Sequence, residues 1–335
     1  MSHDGYDRPA MGGVRYSFVV PVFNERETLP ELHRRLVAVV DGLDGDAEFL
    51  FVDDCSFDGS HEILADLRRR DSRVRVIRFA RNFGHQVAIT AGLDHAEGDA
   101  VIVMDADLQD PPEVVPELIS HWQEGYEVVY AVRARRTGES WFKRATAAGF
   151  YRMLRRIANV EMPLDAGDFR LIDRAAVLAF RSMRERARYV RGMLTWVGFR
   201  QIGVPYERPE RFAGEPKYSY RKSLTLAVDG LVSFSNAPLR VALVAGFVFS
   251  TLSFLVGVFA ITAKLAGAFV VPGWASILVA VSFLGGIQLT LMGMLGLYVG
   301  RIYEEVKARP IYVVRELIGF ADVPEPETAS VELRR

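Results

Sequence analysis

Two long stretches without a charged residue constrain this chain more than anything else in it. Residues 241–263 carry no charge, Lys264 interrupts, and residues 265–300 again carry none until Arg301. A bilayer's hydrocarbon core is about 30 Å thick and takes roughly 20 helical residues to cross. Two spans fit, at about 241–263 and 274–299, joined by a short link in which Pro272 and Gly273 break the helix. The soluble alternative, two core helices of one large domain, needs uncharged runs of a length rare in soluble proteins. Arg221, Lys222 and Arg240 precede the first span, and Arg301, Lys307 and Arg309 follow the second. This bias predicts a multi-pass protein with both termini in the cytoplasm. Residues 1–14 are polar and glycine-rich with no apolar stretch, so they are expected to be a flexible tail rather than a signal peptide.

The region before the spans alternates between strand and helix patterns. Short apolar runs at 17–23, 48–54, 74–79, 100–107 and 127–132 read as strands. Helical spacing fills 28–43, 59–70, 84–96 and 111–122, with Ser60 as an N-cap and the pair Pro111–Pro112 opening the last helix. The order predicts an α/β domain with a mostly parallel sheet, whose polar clusters gather at the C-terminal strand ends where such sheets bind ligands. No G-x-G-x-x-G or Walker A sequence is present, so no glycine-rich phosphate loop is expected. The 41 basic and 42 acidic residues leave a net charge of −1, which gives no electrostatic footprint for nucleic acid. Six histidines without metal spacing and the single Cys55 argue against zinc and against an internal disulfide.

Three acidic clusters carry the chemistry. In Asp105-Ala-Asp107 the two carboxylates, on extended backbone, would share one face. Oxygen-only ligands suit Mg²⁺ or Mn²⁺ shared with substrate phosphates, and Gln109 offers a third oxygen. Asp53-Asp54 ends the second strand and suits nucleoside recognition; Asp58 beyond it reads as a helix cap. Asp165-Ala-Gly-Asp168-Phe-Arg170 forms the third cluster.

With these stretches in view, the chain resembles glycosyltransferase family 2, of the polyprenyl-phosphate glycosyltransferase type. The matching runs are VVPVFNE at 19–25, VDDCSFD at 52–58, RNFGHQ at 81–86, DADLQDPP at 105–112, GDFRLIDR at 167–174 and GRIYEEVKARP at 300–310. It is most similar to bacterial undecaprenyl-phosphate (bactoprenol) glucosyltransferases and more distantly to dolichyl-phosphate mannose synthases. Two positions depart from the family: Cys55, where glycine is frequent, and Glu215-Pro216 before Lys217, where Ser or Thr more often precedes the lysine.

The resemblance implies a GT-A catalytic domain over 15–205, a juxtamembrane interfacial segment over 206–240, a two-helix membrane hairpin over 241–300 and a cytoplasmic tail from 301. It implies inverting, metal-dependent transfer of a hexose, glucose first, from a UDP-sugar to undecaprenyl phosphate at the cytoplasmic face of a bacterial plasma membrane. Pro21, Phe23, Asn24 and Glu25 would line the nucleoside pocket, Asp54 would read the uracil and Arg81 would lie near the nucleotide. Asp105 would face ribose, metal or both; Asp107 and Gln109 would hold Mg²⁺ or Mn²⁺. Asp168 is either the catalytic base or an anchor for a sugar hydroxyl. His85 approaches the site or serves its own helix. The family type also implies a homo-tetramer. For the doubly anionic acceptor, the cation candidates are Arg133, Arg144, Arg208, Arg211 and Lys217, the last three among interleaved aromatic residues suited to a headgroup region. Gly293, Gly296 and Gly300 suit close helix packing. Alternatives are another donor (GDP-mannose, UDP-galactose or UDP-GlcNAc) on the same fold, a processive synthase, whose Gln-x-x-Arg-Trp motif is not seen, and a non-catalytic membrane sensor or transport accessory.

Overall fold

The computed structural model describes residues 15–133, 166–186, 188–207 and 274–320, together with scattered residues between 244 and 266. Strand β1 (Arg15–Val22) shows why the domain has layers. Its alternate residues Phe18, Val20 and Val22 pack with Phe49 and Phe51 of β2 (Asp46–Asp53) under Leu29, Leu32 and Leu36 of α1 (Leu29–Val40). The intervening Val19 faces the other side, with Leu50 of β2 and Ile89 and Leu93 of α3 (His85–His95). The period of two puts both faces of the strand in apolar surroundings, each large side chain contributing roughly 1.5–3 kcal/mol by leaving water. Gly92 marks the tightest approach: a Cβ there would lie 2.1 Å from Val19 Cγ1, so α3 lies flat on β1 only because that carbon is missing.

The remaining elements are α2 (Ser60–Arg70), β3 (Val74–Phe79), β4 (Ala100–Val103), a 3₁₀ turn (Pro112–Val114) running into α4 (Val115–Gln123), β5 (Val128–Arg133), β6 (Ala166–Asp173), α5 (Arg174–Ser182), α6 (Val190–Trp196), β7 (Gln201–Tyr206), α7 (Trp274–Val306) and β8 (Val314–Ile318). They build an eight-stranded sheet in the order β7-β5-β6-β4-β1-β2-β3-β8. Helices α1, α2 and α4 cover one face and α3, α5 and α6 the other. The sheet is mostly parallel, as expected, with two exceptions: β6 runs antiparallel to both β4 and β5, and β8 runs antiparallel to β3.

Four details differ from the sequence expectations. Strand β4 stops at Val103, and Asp105–Asp107 lies in an irregular turn, because Ala106 and Leu108 bend inward to bury their side chains and Leu108 takes φ +61°. The shared-face argument for Asp105 and Asp107 therefore does not apply. The N-cap of α2 is Gly59, at φ +95°, rather than Ser60; Asp58, read as a helix cap, ties down the first turn, its Oδ1 accepting the Ser60 backbone N–H at 3.0 Å and its hydroxyl at 2.6 Å. The second apolar helix does not stop near 299 but continues to Val306, with the good helix formers Arg301, Glu304 and Glu305 in its last two turns. The segment after 301 is not simply a tail, since it supplies edge strand β8.

Among the described residues one helical stretch, Phe283–Val306, is long and apolar enough to cross a membrane, and none of it is buried in the protein. The expected first span is described only at scattered residues, so a two-helix hairpin is not established.

Candidate active site

The C-terminal ends of β1 to β4 lie side by side, and the loops leaving them are tied together by their own polar side chains. Asn24 donates its backbone N–H to Ser56 Oγ at 3.0 Å and accepts the Phe57 N–H on its Oδ1 at 3.0 Å. The Glu25 N–H donates to Ser60 Oγ. Phe23 meets the exposed Phe57 edge to face at 6.0 Å, and Pro21 sits inside β1 opposite Val52. Asp54 is buried and accepts the backbone N–H groups of Phe83 (2.6 Å) and Gly84 (2.9 Å), one on each oxygen. Burial raises its pKa, and these two bonds only partly counter it. Asp54 thereby holds the loop before α3. Arg81, on that loop, is exposed and lies over the Phe83 ring at 4.0 Å.

The reversed strand β6 makes the site. Its pairing of Val103 with Arg170 carries the chain so that Asp168, two residues earlier on β6, comes beside the residues just beyond β4. His85 Nε2 lies 3.1 Å from Asp168 Oδ2 and 3.6 Å from Asp105 Oδ1, and so bridges two of the acidic clusters. Arg191, from the first turn of α6, grips Asp168 with a fork: Nε to Oδ1 at 2.8 Å and Nη2 to Oδ2 at 3.1 Å. Gln86 donates to Asp168 Oδ2 at 3.3 Å and accepts the Val190 N–H at 2.9 Å, which pins α6 to α3. Asp110 accepts the Asp105 N–H (3.3 Å) and the Tyr206 hydroxyl (2.9 Å), and Asp107 accepts the Gln109 N–H (3.1 Å).

Electrostatics separate these acids. Burial pushes Asp105 up to about 7, helped by the negative charges of Asp110, Asp168 and Asp107 and opposed by His85. Asp105 is 31% exposed, so water tempers that push. Asp168, only 8% exposed, would also be raised by burial, but the hydrogen bonds from His85 and Arg191 win and hold it well below the usual carboxylate range. Burial would lower His85; the bond to Asp168 and the charges of both acids carry it instead to about 9. Arg170 is buried beneath this cluster and lowered to about 10 by desolvation. The result is an ionised, doubly clamped Asp168 next to a crowded set of carboxylates.

Of the residues expected at the site, Asp105, Asp168 and His85 are brought together directly. Asp107 and Gln109 share the adjoining turn. Arg133 ends β5, while Arg144, Arg208, Arg211 and Lys217 lie outside the described residues. Sequence reasoning passed over Arg191 and Gln86. Gln86 lay inside a motif already singled out, whereas Arg191 sat in a basic run with nothing to separate it from a solvated helix face. Asp173, the second acid of GDFRLIDR, caps α5 through the Ala175 N–H and accepts the Trp122 indole N–H at 2.7 Å, so its role is structural.

The sequence model of Glycosyl transferase family 2 matches residues 17–179, the stretch that builds β1 through α5. An uncharacterized glycosyltransferase of Bacillus subtilis, YkcC, is 47% identical over 92% of this chain and 95% of its own length. This chain belongs to glycosyltransferase family 2. It is a glycosyltransferase, and its α/β domain is the GT-A type expected. Other relatives of this transferase are a prophage bactoprenol glucosyl transferase homolog of Escherichia coli, 40% identical over 91% of this chain and 99% of that one, and a bactoprenol glucosyl transferase of Shigella phage SfII, 42% identical over 90% and 98%. Among solved structures, a mannosyl-3-phosphoglycerate synthase from Rubrobacter xylanophilus shares 18% identity over 68% of this chain and 74% of its own, with a TM-score of 0.46.

Proposed function

We propose that this transferase moves glucose from UDP-glucose to undecaprenyl phosphate on the cytoplasmic side of a bacterial plasma membrane, with inversion at the sugar C1. The observation that carries the reading is the meeting of the Asp105–Asp107 turn with the clamped Asp168 at the C-terminal sheet edge. The family membership, the names of the bactoprenol glucosyl transferase relatives and the apolar stretch in α7 support the donor, the acceptor and the membrane.

In the reaction an oxygen of the lipid phosphate forms a bond to C1 as the bond from C1 to the UDP oxygen breaks, and UDP leaves with that electron pair. A single displacement inverts the centre. The second pKa of a phosphate monoester is about 6, so the acceptor is largely ionised at pH 7 and has little need of a base. Asp168 is engaged by three donors and held below the usual carboxylate range, which makes it a poor proton acceptor. This favours Asp168 as the acceptor of a hydrogen bond from a sugar hydroxyl, over Asp168 as base.

The donor set fits a hard divalent cation. Asp105, Asp107 and Gln109 offer oxygen ligands, and a bound cation would offset both the burial and the neighbouring carboxylates that push Asp105 up. Among the described residues, no three His, Cys, Asp or Glu side chains stand ready as a ligand group, so the diphosphate would complete the shell. Mg²⁺ or Mn²⁺ there would neutralise charge developing on the leaving diphosphate. Asn24 and Glu25 would frame the nucleoside with Pro21 and Phe23, and Arg133, Arg144, Arg208, Arg211 and Lys217 remain the proposed cations for the acceptor phosphate.

The deciding experiment incubates the purified full chain with undecaprenyl phosphate, Mg²⁺ or Mn²⁺ and a panel of nucleotide sugars, followed by mass spectrometry of the lipid. Lipid-linked glucose that disappears with EDTA and in Asp107→Asn is expected. A hexose other than glucose on the lipid would overturn the donor assignment, and no sugar on the lipid from any donor would leave the sensor reading standing.

A further inference from the structure

The chain does something unnecessary for a simple membrane tether: after its apolar helix it comes back. Only residues 307–313 separate the end of α7 from β8, which pairs antiparallel with β3 (Val76 with Ile318, Ile77 with Leu317, Arg78 with Glu316, Phe79 with Val314). Seven residues reach roughly 25 Å at full stretch, and Ala308 at φ +47° shortens this link further. The return is fastened along its length. The Ala80 N–H donates to the Val313 carbonyl at 2.9 Å. Tyr312 stacks on Phe79 at 5.3 Å and donates its hydroxyl to Asp94 at 3.0 Å. Glu316 lies 3.3 Å from His61, and Phe320 packs on His95 at 5.6 Å under the Arg75 guanidinium. The end of α7 is itself docked: the Arg186 N–H donates to Glu305 at 2.7 Å, and the Arg186 guanidinium to the Arg309 carbonyl.

Two of these contacts reach α3. Asp94 and His95, at its C-terminal end, hold Tyr312 and Phe320, and His85 and Gln86, at its N-terminal end, hold Asp168. Eleven helical residues, about 16 Å, separate the return segment from the site. A strand that merely covered the exposed edge of β3 would protect it from pairing with other chains, but it would need neither the short link nor the docked helix end.

We propose that residues 307–320 form a strap that locks the apolar helix to the catalytic sheet and so sets the position of the active site relative to the bilayer. The strap is a positioning element for the membrane-embedded acceptor and is indifferent to the donor. This rests on the lipid acceptor proposed above. An acceptor fixed in a membrane can be met only from one height and tilt, and small misplacements of reacting groups cost large factors in rate.

The test loosens the link while leaving β8 and α7 in place: eight Gly/Ser residues inserted between Lys307 and Ala308, combined with Glu305→Ala. Full-length protein in phosphatidylcholine/phosphatidylglycerol vesicles is assayed with UDP-glucose and either undecaprenyl phosphate in the bilayer or a water-soluble short-chain prenyl phosphate. The expected result is a loss of about tenfold or more in kcat on the bilayer acceptor, with the KM for UDP-glucose and the rate on the soluble acceptor within twofold of wild type. Unchanged turnover of both acceptors, or equal loss on both, overturns the proposal. A second readout needs no sugar chemistry. In a Cys55→Ser background, spin labels at exposed positions 178 and 302 should give one narrow distance, broadened by the insertion. A broad distribution in the unmodified link refutes the strap. Wild-type protein that glucosylates neither acceptor refutes the proposed function instead, and the spin-label distances then decide the strap alone.

Discussion

The grip of Arg191 on Asp168 gives the sharpest quantitative expectation. Asp168 is almost wholly buried and receives two hydrogen bonds from one guanidinium, at 2.8 and 3.1 Å. Removing one partner of a buried ion pair costs about 3–5 kcal/mol, because a charge is left without compensation. Here Arg191 is 36% exposed, and His85 and Gln86 stay on Asp168, so solvent and the remaining donors reduce the loss. Arg191→Ala is therefore expected to cost about 1–3 kcal/mol, a fall in Tm of roughly 2–12 °C for a domain of this size. Asp168→Asn combined with Arg191→Ala should cost less than the two single changes summed, with a coupling of about 1–2 kcal/mol in the double-mutant cycle. The sign with pH is determined. The pKa of Asp168 is lowered on folding, so its contribution is fully present above the ordinary aspartate pKa near 4 and is lost as pH falls below it. The cycle is run by thermal unfolding in detergent at pH 7 and repeated toward pH 3. A coupling under 0.5 kcal/mol at pH 7, or one that grows with acid, would refute the account of the clamp.

Three further outcomes are expected. Gly92→Ala should destabilise the domain by about 1–3 kcal/mol in urea unfolding, since the new Cβ would meet Val19 at 2.1 Å and α3 must shift off the sheet. Cys55 has φ +63°, in the left-handed region, which supplies the reason glycine is frequent there in the family; Cys55→Gly should raise stability by about 0.5–1 kcal/mol after the added freedom of the unfolded chain is counted. Asp58→Ala should cost about 1 kcal/mol through the turn that enters α2 and, because Asp58 also accepts the Arg26 N–H, should raise the KM for the nucleotide-sugar donor more than it lowers kcat.

Local chemistry made much of this protein legible from its residues in order. Short apolar runs located β1 to β5 and the helices between them to within a few residues, because the strands are buried on both faces and α1, α2 and α4 each bury one stripe. The acidic clusters pointed to one edge of the sheet, since loops at C-terminal strand ends are where side chains can escape the packing. What needed the folded molecule was everything set by pairing between distant segments. No spacing rule says that β6 runs backwards beside β4, yet that reversal alone puts Asp168 within reach of His85 and Asp105. Arg191 looks like any surface arginine until α6 is laid against Asp168. Strand β8 is five residues long, too short to announce itself, and became a strand because β3 had an open edge close to where the apolar helix ends. Sequence dictates which segments are apolar and which are charged; the partner each one meets is decided by competition for buried edges and for unpaired charges, and that competition exists only once the whole chain has folded.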